Sequence, residues 1–417
     1  MPLMTLKRPV SAGRLMRTAL LSLGIASFSI GLSLNLPSDA IAQEPLEISI
    51  VYITQEEKQR VPLSLVEPIL TDRGVQGARA GQQDNATTGQ FLKHDYKLTE
   101  VLVPEDGDIT ASFAEQLTAG HRLFVADLYG EQILALADLP DAADALIMNT
   151  RAPDDRLRNV DCRANVLHIM PSRAMKADAL AQYFGWKKWN EWFLTYGSGE
   201  GDLAFAEALR RAANKFGLKI VDERPFEGDA PSARTDTGHA EIQKQMPVFT
   251  QGAADHDVLV VADESDVFGE YLPYRTWEPR PVAGTQGLIP TAWHRSHEQW
   301  GGTQLQRRFE KVASRDMTER DYTAWLAVRS IGEAVTRTNS ADVAAIKDYL
   351  LGPDFAIAAF KGEGLTFRTW NGQMRQPILI AAPRALVSVS PQEGFLHQRS
   401  QLDTLGYDEP ESTCQLQ

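Results

Sequence analysis

Five consecutive residues, Val258-Leu259-Val260-Val261-Ala262, are aliphatic, and the run stops at Asp263. A stretch so short and so uniformly apolar has no polar side to offer water. It predicts a strand buried on both faces, as in a parallel sheet covered by helices. Further strands are predicted at the mostly apolar Leu46 to Ile53, at Tyr96 to Val103, which alternates, and at Leu123 to Ala126, Ala145 to Met148, Trp189 to Thr195 and Leu218 to Val221. Helical periodicities lie between them. Pro171 opens a stripe of Ala174, Ala177, Leu180, Ala181 and Phe184. A second stripe, Leu203, Ala206, Leu209, Ala213 and Phe216, ends at Gly217, a suitable C-cap. Strand and helix in alternation indicate βαβ units.

Other segments are less regular. Around Leu63 to Asn85, Gly74 and Gly77 weaken a continuous helix. Phe113 to Leu117 and Ile133 to Leu139 predict short helices. Pro273, Pro279, Pro281, Gly284, Gly287 and Pro290 crowd together, as in a connection that leaves one domain for another. Helical chain resumes at Gln304 to Val312, Asp321 to Val335 and Ala341 to Leu350. Leu365 to Arg368 and Pro377 to Ala382 predict paired strands around Asn371-Gly372, a strong hairpin signal. The last twenty residues are polar and predict a tail.

The chain's start has the order of a secretory signal peptide. Lys7, Arg8, Arg14 and Arg17 precede an uncharged stretch from Thr18 to Leu34, and Ala40-Ile41-Ala42 supplies an A-x-A site. The serines in that stretch argue against a membrane anchor, which needs about 20 consecutive apolar residues. Cleavage is expected after Ala42, with the rest delivered outside the cytoplasm. The leader holds four basic residues and Asp39, so its removal takes the net charge from −13 to −16. So acidic a chain lacks the basic footprint of a nucleic-acid or anionic-lipid binder. Cys162 and Cys414 are the only cysteines, too few for an all-Cys zinc site. An even pair in an oxidising compartment is expected to be bonded, the alternative being two unrelated thiols.

Several segments, taken in order, resemble a known family. They are Gly77 to Asn85, the polar stretch Asn149-Thr150-Arg151-Ala152-Pro153-Asp154, and Gly199-Glu200-Gly201 at the start of a helix. Together they are similar to type I periplasmic binding proteins of the leucine/isoleucine/valine-binding branch, over about residues 46 to 395. The resemblance implies an α/β fold of two Rossmann-like lobes with parallel sheets, joined by a hinge of three crossovers. It places lobe one at 43–163 and 288–360 and lobe two at 164–287. The hairpin at 361–398 is assigned to lobe two, and 399–417 is left as the tail. It further implies a small-molecule solute in the cleft, an ABC permease as partner, no cofactor, no enzymatic activity and a monomer. Cys162 would lie near the first crossover. A narrower resemblance rests on Asp161 to Asn165, Pro171 to Met175 and Asp403 to Asp408. It is to binding components encoded beside alcohol dehydrogenases that use pyrroloquinoline quinone.

In open parallel sheets, ligands sit outside the carboxyl ends of the strands. The candidate ligand residues are therefore Asp127, Tyr129, Asn149, Thr150, Arg151, Glu200, Asp263 and Glu264. Amino-acid binders of the family hold the ligand carboxylate with small hydroxyl residues and its amine with a lobe-two acid. Here Ala126-Asp127-Leu128-Tyr129 lacks the hydroxyl pair, although Thr150 has a hydroxyl and Arg151 suits a bidentate carboxylate. The helix start after Gly197 offers N–H groups to an anion. Asp127, Asp263, Glu264 and Asp266 could instead hold a hard cation, or merely add surface charge. No P-loop or nucleophile elbow occurs. His294 and His297 would share a helix face and could ligate a metal, though they match no zincin order. Trp186, Trp189 and Trp192 fit core packing better than a sugar platform. The competing functions are a solute-binding importer component, a sensor delivering a signal to a membrane partner, and a metal protein or hydrolase.

Overall fold

The computed structural model describes residues 45–58, 68–228 and 236–416, except for the side chains of residues 236, 237 and 239. The leader, with its cleavage site after Ala42, lies outside the described residues, as does the start of the 63–85 stretch. Five parallel strands form the first sheet: β1 (Leu46–Gln55), β2 (His94–Val103), β3 (Leu123–Asp127), β4 (Leu146–Asn149) and β5 (Val166–His168). Their spatial order is β2-β1-β3-β4-β5. β1 shows why its sequence is nearly all apolar. Ile48, Ile50 and Tyr52 enter a core with Trp325 and Leu326, while Val51 and Ile53 enter another with Phe113 and Ile133. Successive side chains of a strand face opposite ways, so both faces need cover.

Helices α1 (Val75–Leu92), α2 (Ile109–Thr118) and α3 (Gly130–Ala137) belong to this half. The second sheet is built around β6 (Glu191–Tyr196), with β7 (Lys219–Pro225), β8 (Val258–Ala262) and β9 (Val282–Gly284). Its order is β7-β6-β8-β9, all parallel. The aliphatic run from Val258 is its β8. Val258, Val260 and Ala262 pack under α4 (Arg173–Lys187) and α5 (Glu200–Phe216), whereas Leu259 and Val261 face α6 (Asp236–Thr250). After β10 (Ile289–Thr291) come α7 (Gly302–Ala313), α8 (Glu319–Thr338) and α9 (Val343–Leu351).

α8 returns to the first sheet and lies against α1. The glycines that weaken α1 as an isolated helix are what permit this. A Cβ on Gly77 would stand 1.9 Å from the Asp321 carbonyl oxygen, and one on Gly81 2.9 Å from that of Trp325. The helix therefore starts at Val75, after Gly74 at φ 81°, and tertiary packing overrides the propensity cost.

Several elements depart from the sequence reading. β5 and β10, three residues each, are too short for a periodicity, and α6 contains Pro247. The Asn371-Gly372 turn joins β12 (Gly364–Phe367), which also pairs with β11 (Ile357–Ala358), to the two-residue β13 (Met374–Arg375). β14 (Ile378–Ala382) pairs instead with β15 (Ala385–Ser390) and β10. Residues 361–398 thus divide: Leu365, Phe367 and Met374 join the first core, and Ile378 and Ile380 the second. The expected tail is packed. Leu402 and Leu405 are buried, and Asp403 accepts from the Nε atoms of Arg368 at 2.9 Å and Arg375 at 2.8 Å. Cys162 and Cys414 are bonded, with Cα atoms 5.7 Å apart.

The chain passes between the two cores three times, after Ile169, before Ala292 and after Met374. Buried side chains bind these passages together. Arg158 donates to the Met170 carbonyl and to Gln373 Oε1, and Gln376 donates to the Ile169 carbonyl. Lys361 Nζ donates to the Pro377 carbonyl at 3.0 Å.

Two predictions follow from this hinge. Burial lowers the Lys361 pKa to about 7, against about 10.4 in an unfolded chain. Between these values the unfolded state binds more protons, so stability should rise with pH from about 7 to about 10. Urea unfolding across that range should show the rise in the native sequence and its loss in Lys361→Met. The disulfide closes a loop across a sequence separation of 252. Cys162→Ser with Cys414→Ser should cost up to about 5 kcal/mol in the chain-entropy model, measured as a lower urea midpoint without reductant.

Candidate functional site

Both sheets have a topological switch point, where the chain leaves neighbouring strands in opposite directions. In the order β2-β1-β3-β4-β5 it lies between β1 and β3, and in β7-β6-β8-β9 between β6 and β8. The crevice for a ligand opens beyond the carboxyl ends of those strands. Here the ends are Gln55 to Glu57 and Asp127 to Tyr129 in the first sheet, and Tyr196-Gly197 and Asp263-Glu264 in the second. A cavity of about 750 Å³ lies there, lined among others by Thr54, Glu57, Arg79, Arg320, Glu264 and Asp266. Arg320 belongs to α8 on the first core and Glu264 follows β8 of the second, so both halves contribute walls.

Asp127 anchors the first wall. It accepts from Tyr52 Oη at 2.6 Å and from Arg320 Nη2 at 2.8 Å and Nε at 3.0 Å. Its carboxylate is committed to an ion pair rather than open to a cation. Burial, then the Asp127 charge, raises the Tyr52 pKa well above that of a free phenol. Against the pull of burial, the Asp127 charge holds the Arg320 pKa above its usual value.

Beside this pair stands a second cluster. Arg151 lies over the Tyr129 ring, 3.6 Å from its centroid, a cation–π arrangement. Arg151 also contacts Glu57, which accepts from Tyr129 Oη and from Arg320 Nη1. Burial, with a smaller contribution from Arg320, lowers the Arg151 pKa to about 9. Asn149 and Thr150 support the loop from below. Asn149 Oδ1 accepts from the Arg151 and Ala152 amides, and the Thr150 hydroxyl donates to the Ala126 carbonyl.

On the second wall Glu264 accepts from Arg173 Nε at 2.9 Å and Nη2 at 2.7 Å. Arg173 also reaches Asp154 at 3.3 Å, across from one half to the other. Asp263 is buried and turned inward, accepting from the amides of Val267, Phe268 and Gly269. Burial raises its pKa, and these three bonds offset part of the rise. The α5 start is already served by an acid, since Asp202 accepts from the Gly199 and Ser265 amides. Glu200 is exposed on the first turn of α5.

The sequence-derived residues therefore separate by role. Tyr129, Arg151 and Glu264 present side chains at or beside the cavity, while Asp127, Asn149, Thr150 and Asp263 are bonded into the frame. Tyr52, Arg173 and Arg320 complete the site and were not singled out. Arg320 sits 193 residues from Asp127, and nothing local marks a partner at that distance. His294 and His297 lie in a turn rather than on a shared helix face, with His297 Nε2 against the Phe360 carbonyl. Among the described residues no group of three or more His, Cys, Asp or Glu is placed to hold a metal. Trp192 is buried in the second core and donates to the Trp189 carbonyl, whereas Trp186 is exposed.

Solved structures share this fold. The chain has the fold of a type I periplasmic binding protein. A branched chain amino acid ABC transporter periplasmic ligand-binding protein from Burkholderia xenovorans LB400 superposes with a TM-score of 0.61 at 14% identity, covering 82% of this chain and 95% of that one. An amino acid ABC transporter substrate-binding protein from Pseudomonas fluorescens Pf-5 gives 0.62 at 12% identity, covering 89% and 100%. An ABC transporter substrate-binding protein from Desulfitobacterium hafniense in complex with Leu gives 0.59 at 14%, covering 82% and 99%. No family model and no curated protein matches the chain by sequence. No helix among the described residues is long and apolar enough to cross a membrane.

The frame assignment is testable. Asp127→Ala removes the buried carboxylate that pairs with the half-buried Arg320 and accepts from Tyr52, and should cost up to about 3–5 kcal/mol of stability. Glu200→Ala, on an exposed helix turn, should cost less than about 1 kcal/mol. Urea unfolding of both variants checks the contrast.

Proposed function

We propose that this chain is the solute-binding component of an ABC importer and works in the periplasm after cleavage of its leader at Ala42. The observation that carries the reading is the cavity at two facing switch points, with Arg320 on one wall and Glu264 on the other. The solved neighbours named for ABC transporter ligand and substrate binding support it, because they share this fold. The mechanism is closure: a solute touching both walls stabilises the closed form by its differential contact, and a membrane permease reads that form. No bond is made or broken.

The genomic setting we propose is alcohol oxidation with pyrroloquinoline quinone. Of the segments behind that resemblance, only Pro171 to Met175 reaches the cleft, through the Arg173 pair with Glu264. Cys162 and Asp403 are structural, one in the disulfide and one in the buried arginine pairs. They speak for relatedness and leave the solute to the cleft.

Native mass spectrometry of protein purified from its own periplasm should reveal a co-purifying small molecule. Adding that molecule to stripped protein should lower the radius of gyration measured by X-ray scattering. A radius unchanged by every bound small molecule sinks the closure mechanism.

A further inference from the structure

Four arginines at or beside the cleft are paired with a carboxylate: Arg320 with Asp127, Arg173 with Glu264, Arg151 with Glu57 and Arg79 with Glu100. The first two pairs are built into the frame: the Asp127 side chain is 1% exposed, and Arg173 engages Glu264 through two nitrogens. The third pair differs in kind. The Glu57 side chain is 40% exposed and hangs two residues beyond the end of β1, at the lip of the cavity. Its partner is a fixture. The Arg151 side chain is 10% exposed, stacked on Tyr129, with its backbone amide held by Asn149.

Three donors from three elements converge on this one carboxylate: Arg151 Nη2 after β4, Tyr129 Oη after β3, and Arg320 Nη1 on α8. A carboxylate met by one guanidinium nitrogen from each of two arginines and by a phenol is held by charge-assisted hydrogen bonds. If Glu57 leaves, Arg320 keeps Asp127 and Arg173 keeps Glu264, while Arg151 loses its countercharge inside a wall with little solvent. The vacancy fits one negative charge.

We propose that Arg151, Tyr129 and Arg320 form the carboxylate subsite of the cleft, filled here by Glu57 as an internal stand-in, and that the solute is an organic carboxylate which displaces it. On the opposite wall Arg173 neutralises Glu264, whereas Asp266 accepts from the neutral Gln286 amide and keeps its charge, so the carboxylate is the one group of the solute that the site selects. This inference rests on the cleft being the solute site.

Because the stand-in competes with any ligand, its removal should tighten binding without knowledge of the natural solute. Acetate and succinate serve as probes, with acetamide and succinamide as uncharged isosteres and leucine as a zwitterion. Isothermal titration should show Glu57→Gln binding the two carboxylates at least about tenfold more tightly than the native chain, as expected when a self-occupied site is freed. The amides should show no gain. Adding Arg151→Ala to Glu57→Gln should abolish it. Glu57→Ala repeats the test with a different replacement, and thermal unfolding confirms that each variant is folded. No gain for either carboxylate in both folded Glu57 variants, or an equal gain for the amides, overturns the subsite. Leucine bound more tightly than either carboxylate, and unaffected by Arg151→Ala, overturns the class while leaving the solute-binding reading intact. Carboxylate binding without any change in scattering would keep the subsite and count against the importer mechanism instead.

Discussion

Two-sided burial is the constraint from which the architecture follows. A parallel strand of five or so apolar residues has no wet face, so its sheet must carry helices on both sides. The first sheet gets α1 early, but α1 is rich in small residues and covers little by itself. The remaining cover, α8 with Trp325, Leu326 and Val328, arrives more than two hundred residues later. The chain must therefore leave the first half, build the second, and come back. The cleft between the halves, and the passages that serve as its hinge, are consequences of that return.

The hinge is not loose linker. Its passages carry buried arginine, glutamine and lysine side chains whose hydrogen bonds end on backbone carbonyls of another passage. Backbone that changes sheets leaves polar groups without a ladder partner, and these side chains supply one. The C-terminal segment adds an outer layer. Leu405 sits in the second core, Gly406 accepts from Arg211 and Lys215, and Ser412 donates to the Arg158 carbonyl before Cys414 bonds Cys162. This strap runs from the helices of one half to a loop of the other.

Much of this was readable as pattern and little as pairing. The longer strands and their helices have periodicities that survive in any context, and β8 announced its two-sided burial directly. What escaped were elements defined by distant partners. β5 and β10 are three residues long and exist because β4 and β14 offer edges. The late hairpin was misassigned because Asn371-Gly372 marks a turn but does not say how far the strands beyond it pair. The polar terminus read as a tail because Asp403 looks solvated until Arg368 and Arg375 enclose it. Gly74 and Gly77 count as a cost in an isolated helix, whereas Gly77, together with Gly81, lets another helix approach.

At the site the same division appears. Strand ends in a parallel sheet locate a crevice, so the neighbourhoods of Asp127, Arg151 and Glu264 could be reached from sequence. Which of those side chains meets a solute depends on what each already holds. Asp127 and Asp263 are consumed by the frame, one by an arginine and a tyrosine, the other by three backbone amides. Arg151 is the reverse case, a deeply placed cation whose carboxylate partner sits at an exposed lip. An exposed ion pair contributes little to stability, whereas a buried cation kept without a fixed partner is costly. The Arg151–Glu57 pair joins these two situations in one contact, and the proposed subsite rests on that asymmetry.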